Sequence, residues 1–149
     1  MKFWDASAIV PLVIREAGSD LVRPWLRDDP DIVLWTLTRV ELVSAIERRA
    51  REKKLTARQR ALALGRIERL SRDAHEVSDV AAVRSRAVPL LAHHPIRAAD
   101  AVQLSAALLV ADPEPSSLTL VALDRRLAEA AEREGLRVLT WPEDELAPG

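Results

Sequence analysis

The chain reads as an α/β protein with a central parallel sheet covered by helices. Three observations point there: short apolar runs of strand length alternate with longer stretches of helical periodicity, the connections between them are brief, and acidic residues stand just beyond the apolar runs. Strand following helix with short links favours parallel strands, whose crossovers place helices on both faces. At 149 residues the chain has one domain's length and can bury a sizeable core. No repeat, low-complexity tract or linker interrupts it, so a single domain over 1–149 is expected.

Met1–Trp4 is a strand ending at Asp5, and Ser7–Ile14 a short helix. Gly18–Arg27 is a second helix, closed by the turn Asp28-Asp29-Pro30-Asp31. Ile32–Trp35 is a compact strand. Thr38 opens a long helix to about Lys53, with Leu42, Ala45, Ile46 and Arg49 at helical spacing, and Thr56 opens another to about Asp73. Thr38-x-x-Glu41 and Thr56-x-x-Gln59 both match the capping box, in which the hydroxyl and the longer side chain satisfy each other's backbone N–H. His75–Val77 is a short edge strand, Asp79–Leu91 a helix, and Arg97–Ala111 a buried helix. Leu118–Leu123 is a strand, Asp124–Glu134 a helix with Gly135 at its C-terminal turn, and Val138–Trp141 a last strand.

Apolar residues make up 48% of the chain and the charged 30% nearly balance at a net −1, which argues against disorder. With no bulk basic field, any nucleic-acid contact must come from a local patch. The absence of Cys excludes a disulfide framework and thiolate metal sites. The longest strongly apolar uncharged stretch, Ala101–Ala111, is too short to cross a bilayer, and an acid at position five is incompatible with a secretory signal. No membrane association and a cytoplasmic location are therefore expected.

Four acids carry the functional reading: Asp5, Glu41, Asp100 and Asp124. Carboxylates that converge raise one another's pKa unless a cation lies between them, and a hard divalent ion with oxygen ligands resolves the conflict. Each acid also has a local explanation. Asp5 and Asp124 can cap the helices they precede. Glu41 can complete the capping box of Thr38. Asp100 can gain about 0.3–1 kcal/mol near a helix N-terminus, or pair with Arg97. The shared placement favours the functional alternative, because three acids follow strands and the fourth begins an apolar helix face, at Asp100, Leu104 and Leu108. Arg15, Arg39, Arg97, Arg125 and Arg126 lie close to the acids in sequence and are candidates for phosphate contact. Trp4, Trp35 and Trp141 are read as strand residues in the core, while Trp25 on an amphipathic helix could face a ligand or a partner. Adjacent His93 and His94 in a Pro-flanked loop lack a third ligand at metal-binding spacing, which makes a loop role the better reading.

The segments Trp4-Asp5-Ala6-Ser7-Ala8, Thr38-x-x-Glu41, Ile96-Arg97-Ala98-Ala99-Asp100-Ala101-Val102-Gln103-Leu104 and Leu123-Asp124-Arg125-Arg126-Leu127-Ala128 with Gly135, in that order, resemble a PIN domain. Within that family the closest likeness is to the VapC-type toxin endoribonucleases of toxin–antitoxin pairs. The resemblance implies a Rossmann-like three-layer fold with a mostly parallel sheet of four to five strands. It also implies a Mg²⁺- or Mn²⁺-dependent endoribonuclease whose catalytic acids are Asp5, Glu41, Asp100 and Asp124. Asp5 and Asp100 are then expected as direct metal ligands, Asp124 as completing a second or outer site, and Glu41 as binding through or orienting water. Ser7 matches a hydroxyl residue that supports the site. A Thr found in many relatives two positions before the last acid is Ala122 here. The resemblance further implies products with 5′-phosphate and 3′-hydroxyl ends, a homodimer, and a VapB-like antitoxin packed over the cleft.

Two other readings compete. A receiver-type phosphoacceptor domain has similar length and an acidic pocket, but needs a lysine beyond a late strand, and no lysine follows Lys54. A catalytically silent PIN-like interaction module would keep the fold without metal affinity.

Overall fold

The computed structural model describes residues 1–145; the last four residues of the expected domain lie outside the described residues. Five strands form one sheet, β1 (Lys2–Trp4), β2 (Ile32–Trp35), β3 (His75–Val77), β4 (Thr119–Val121) and β5 (Arg137–Leu139). Their order is β3-β2-β1-β4-β5 and every pairing is parallel, with Phe3 opposite Val33 on one side and Leu120 on the other. Among the described residues seven α-helices cover it: α1 (Ala6–Val13), α2 (Ser19–Asp28), α3 (Thr38–Arg51), α4 (Ala57–Asp73), α5 (Val80–His93), α6 (Ala98–Ala111) and α7 (Arg125–Arg133). None of these helices is long and apolar enough to cross a membrane.

The inner strands β1, β2 and β4 are mostly apolar because both faces are buried, while the edge strands β3 and β5 are more exposed, and the period of two sorts the buried side chains between two cores. Trp4, Leu34, Val121 and Leu123 point to one face, packing with Ile9 and Val13 of α1, Leu42 and Ile46 of α3, and Ile67 of α4. Phe3, Val33, Trp35, Leu120 and Ala122 point to the other, against Val83 of α5, Leu104 and Leu108 of α6, and Leu127 of α7. The result is a three-layer α/β/α arrangement with β1 at its centre.

That topology creates a switch point. From β1 the chain moves outward through β2 to β3, then crosses back to β4 on β1's other side. Open α/β sheets form their ligand crevice where strand order reverses, at the carboxyl ends of the strands. Asp5 follows β1 and Asp124 lies just past β4, one on each side of that crevice.

The predicted elements appear with small shifts in their ends, and His75–Val77 is indeed an edge strand. The box at Thr56 is formed: its Oγ1 accepts from Gln59 N at 3.1 Å, and Gln59 Oε1 accepts from Thr56 N at 2.8 Å. The box at Thr38 is not. Leu37 precedes α3 without a side-chain cap, and Thr38 is buried and bonded instead to Gln103 of α6. The last strand ends at Leu139, so Trp141 is not a strand residue. Gly18 precedes α2 with φ +91°, and Gly135 follows α7 with φ +92°, the left-handed conformation that favours glycine.

Gly18 also lies where no Cβ fits. An added Cβ would meet Leu123 Cδ1 at 2.7 Å and Trp141 Cη2 at 3.2 Å. Gly18→Ala should therefore destabilise the fold by about 1–3 kcal/mol, read as a lower midpoint in urea unfolding with unchanged slope.

Candidate active site

Four separate segments deliver the acids to this crevice. Asp5 stands at the N-cap of α1 and is only 5% exposed. Its Oδ2 accepts from Ser7 N at 3.0 Å and from the Ser7 hydroxyl at 2.5 Å. Ser7 Oγ in turn accepts from the N–H groups of Leu123, at 2.9 Å, and Asp124, at 3.1 Å. One hydroxyl thus ties the first acid to the backbone of the last. Asp124 caps α7, its Oδ1 accepting from Leu127 N at 3.0 Å, while the residue stays exposed. The capping explanation and the crevice placement both hold for these two residues, because a strand end that begins a helix is where the sheet opens.

Asp100 sits in the first turn of α6, half-buried, with Oδ2 accepting from Arg97 N at 3.3 Å. Glu41 sits in the first turn of α3, half-buried. It does not cap Thr38. Gln103, fully buried one turn beyond Asp100, donates from Nε2 to Glu41 Oε1 at 3.2 Å and to Thr38 Oγ1 at 2.9 Å. Its own Oε1 is buried without a partner.

The acids act on one another through their charges. Burial pushes the Asp5 pKa up to about 6, against the two Ser7 hydrogen bonds, and the charges of Asp100 and Asp124 push it further. Burial and the charge of Asp5 raise Glu41 to about 7, Gln103 opposing and Asp100 adding to the rise. Asp100 is raised by burial, opposed by the Arg97 N–H, raised by Asp124, and held back by the Arg97 and Arg126 guanidiniums. Five pairwise repulsions link the four carboxylates, and no arginine or lysine forms an ion pair with any of them among the described residues.

The crevice opens into a cleft of about 760 Å³ lined by Ser7, Glu41, Arg97, Asp124 and, farther along, Arg48, Arg49 and Trp141. The arginines chosen for closeness in sequence divide sharply. Arg97 lines the cleft and Arg126 acts on Asp100. Arg15 does not reach it: its guanidinium forks onto Asp20 at 2.7 and 2.8 Å and lines a neighbouring hollow. Arg39 lines a separate cavity with Trp35, Glu68 and Glu76, and exposed Arg125 is not part of the cleft wall. Arg48 and Arg49, overlooked in the sequence, lie seven and eight residues after Glu41, a spacing that returns to the same helix face. Gln103 carried a similar signal, three residues after Asp100. Trp25 packs partly buried on the core, and its carbonyl accepts from Lys2 Nζ at the start of β1, remote from the acids. His94 pairs with Glu134 at 2.6 Å away from the cleft.

Among the described residues no three Asp, Glu or His side chains already stand in coordinating geometry. The donor set nevertheless suits a hard cation, being carboxylate oxygen throughout. Both Asp5 hydrogen bonds fall on Oδ2, which leaves Oδ1 without a protein donor among the described residues.

Two outcomes follow from this geometry. Asp5 and Glu41 hold their protons more tightly folded than unfolded, so between about pH 4 and pH 7 the folded chain binds more protons and stability falls as pH rises. In EDTA the melting temperature should drop from about pH 5 to about pH 8, and Asp5→Asn should flatten much of that slope. Gln103→Leu should cost about 1–3 kcal/mol in chemical denaturation, because Thr38 and Glu41 lose a shared buried donor.

Comparison with known proteins agrees with this architecture. Residues 2–133 match the PIN domain family. Ribonuclease VapC45 of Mycobacterium tuberculosis is 36% identical over 139 residues, covering 93% of this chain and 94% of the relative. Ribonuclease VapC35 of the same organism is 34% identical over 141 residues, covering 93% and 96%. The crystal structure of FitAcB from Neisseria gonorrhoeae superposes with a TM-score of 0.66 at 18% identity, covering 93% of this chain and 96% of that one, a likeness of fold. This chain, with its five-stranded parallel sheet and the acids gathered at the strand ends, belongs to the PIN domain family.

Proposed function

We propose that the chain is a divalent-metal-dependent endoribonuclease and the toxin of a toxin–antitoxin pair. The observation that carries this reading is that four carboxylates from four chain segments act on one another's charge in a PIN fold, beside a cleft that Glu41 and Asp124 line. The ribonuclease names of relatives that match over nearly the whole chain support it.

Asp5, Asp100 and Asp124 would hold Mg²⁺ or Mn²⁺. When bound, such an ion supplies a water of lowered pKa and positive charge for the transition state and the departing 3′ oxygen. Ser7 holds the Asp5 carboxylate in place and fixes its distance from the backbone of Asp124. Glu41, aimed by Gln103, accepts a hydrogen bond from the attacking water and orients it toward the phosphorus in line with the leaving oxygen. Arg97 and Arg126, beside Asp100, draw the scissile phosphate into a site that its own carboxylates would otherwise repel. The upstream fragment ends in a 3′-hydroxyl and the downstream fragment keeps the phosphate on its 5′ end. Ala122, buried under the sheet where relatives carry Thr, supplies no hydroxyl to this chemistry.

As a toxin the protein acts in the cytoplasm, and a VapB-like antitoxin seated over the cleft would silence it by covering the acids. Self-association into a homodimer completes this reading. Mapping new 5′-phosphate ends in total RNA after expression tests it. Wild type should create discrete new ends and Asp100→Asn should create none; identical ends from both would end the nuclease reading.

A further inference from the structure

Glu41 and Asp124 line the cleft beside the other two acids, and the cleft is far larger than the acids need. Its 760 Å³ is well beyond what metal ions and a single phosphate occupy. Past Glu41 the wall changes character. Val10, Pro11 and Ala45 make it apolar, Arg48 and Arg49 make it cationic, and Trp141 closes it on the side of Asp124.

Trp141 is held in place. Its Nε1–H donates to the Leu123 carbonyl at 3.1 Å, and its Cη2–Cζ2 edge lies where only a glycine, Gly18, leaves room. The rest of the ring is half-exposed beside the last acid. An indole fixed at one edge and open along another loses little freedom when a flat group stacks on it. The two arginines differ in what they have left to offer. Arg49 is engaged by Glu16 at 3.2 Å and by the Ala45 carbonyl at 3.1 Å. Arg48 is exposed and makes no ion pair or hydrogen bond among the described residues.

We propose that this wall is a subsite for an unpaired RNA nucleotide next to the scissile phosphate, its base stacked on Trp141 and its phosphate paired with Arg48. This rests on the ribonuclease reading and deepens it. A nucleotide is the ligand class that presents a large π-face and an anion on one unit, matching an aromatic wall and a free guanidinium in the same cleft. Single-stranded RNA fits because its bases can splay out to stack, whereas a duplex keeps them stacked on one another. Charge supports the same occupant. The carboxylates repel a polyanion, and Arg48 on the wall of the same cleft offsets that repulsion without pairing with the acids. The subsite selects unpaired over paired RNA and is tolerant of base identity, since every base has a π-face.

The test uses a short fluorescent single-stranded RNA carrying a mapped cleavage site, with Mg²⁺. Affinity is measured by polarisation in an Asp100→Asn background that leaves the RNA intact, and cleavage kinetics in the otherwise wild-type protein. Trp141→Leu should weaken binding roughly tenfold or more and raise KM with kcat little changed, while Trp141→Phe retains most of the affinity. Arg48→Ala should weaken binding and reduce the slope of log affinity against log salt by about 0.7. Arg48 is exposed, so its variant decides the matter even if Trp141→Leu fails to fold. Unchanged affinity and salt slope in Arg48→Ala would overturn the proposal. So would variants that weaken only the antitoxin complex and leave RNA binding intact. Cleavage by Asp100→Asn at the wild-type rate would sink the nuclease reading instead, a result distinct from unchanged affinity.

Discussion

Everything about this molecule turns on carboxylates crowded at the carboxyl edge of a parallel sheet. Asp5 ends the central strand, where the core on both faces leaves it almost no water. A buried charge is costly unless it is paired, and this one meets other acids and no base. The fold limits that cost in two ways. Ser7 gives the charge two hydrogen bonds, and α1 begins there with its N–H groups directed at it. Neither device removes the repulsion from Asp100 and Asp124. A protein that needed only stability would have no reason to keep this arrangement, and a cation between the acids turns repulsion into coordination. Local electrostatic strain of this kind is characteristic of functional sites.

Much of this was legible in the chain because sheet and helix signals are local. Ile32–Trp35, with both faces buried, is continuously apolar, and Leu118–Leu123 is apolar apart from Thr119, so the sequence places the acids just past strands. Parallel order followed from the alternation of strand and helix. What escaped was decided by partners distant in sequence. The pattern Thr38-x-x-Glu41 is a good capping box locally, yet Gln103, more than sixty residues away, claims both side chains. Arg15 is near Asp5 in the chain, but Asp20 is one short turn away and takes its guanidinium. Arg48 is seven residues from Glu41 within α3, two helical turns that return it to the same face, a case where helical spacing was more informative than nearness in the chain. Trp141 looked like a strand residue because strand length cannot be read to a single position.

The cleft divides its labour along its length. Acids and the two cations beside Asp100 form the reacting end, and the apolar and cationic wall beyond Glu41 forms the holding end. Gln103 is buried behind Glu41 and Ser7 lines the cleft beside Asp5, and the hydrogen bonds of both fix directions: one aims Glu41, the other couples the end of β1 to the end of β4. The receiver-type alternative fails on both counts, since the fold belongs to another family and no lysine follows residue 54. His94 and Glu134 close a contact between the end of α5 and the end of α7, well away from this division.

The most direct test of the central claim is calorimetric titration of Mn²⁺ into the metal-free protein, beside Asp5→Asn. The account requires saturable binding by the wild type, with proton release as ions displace protons from carboxylates of raised pKa, and loss of that binding in the variant. Equal Mn²⁺ affinity in both proteins, or none in either, would contradict it.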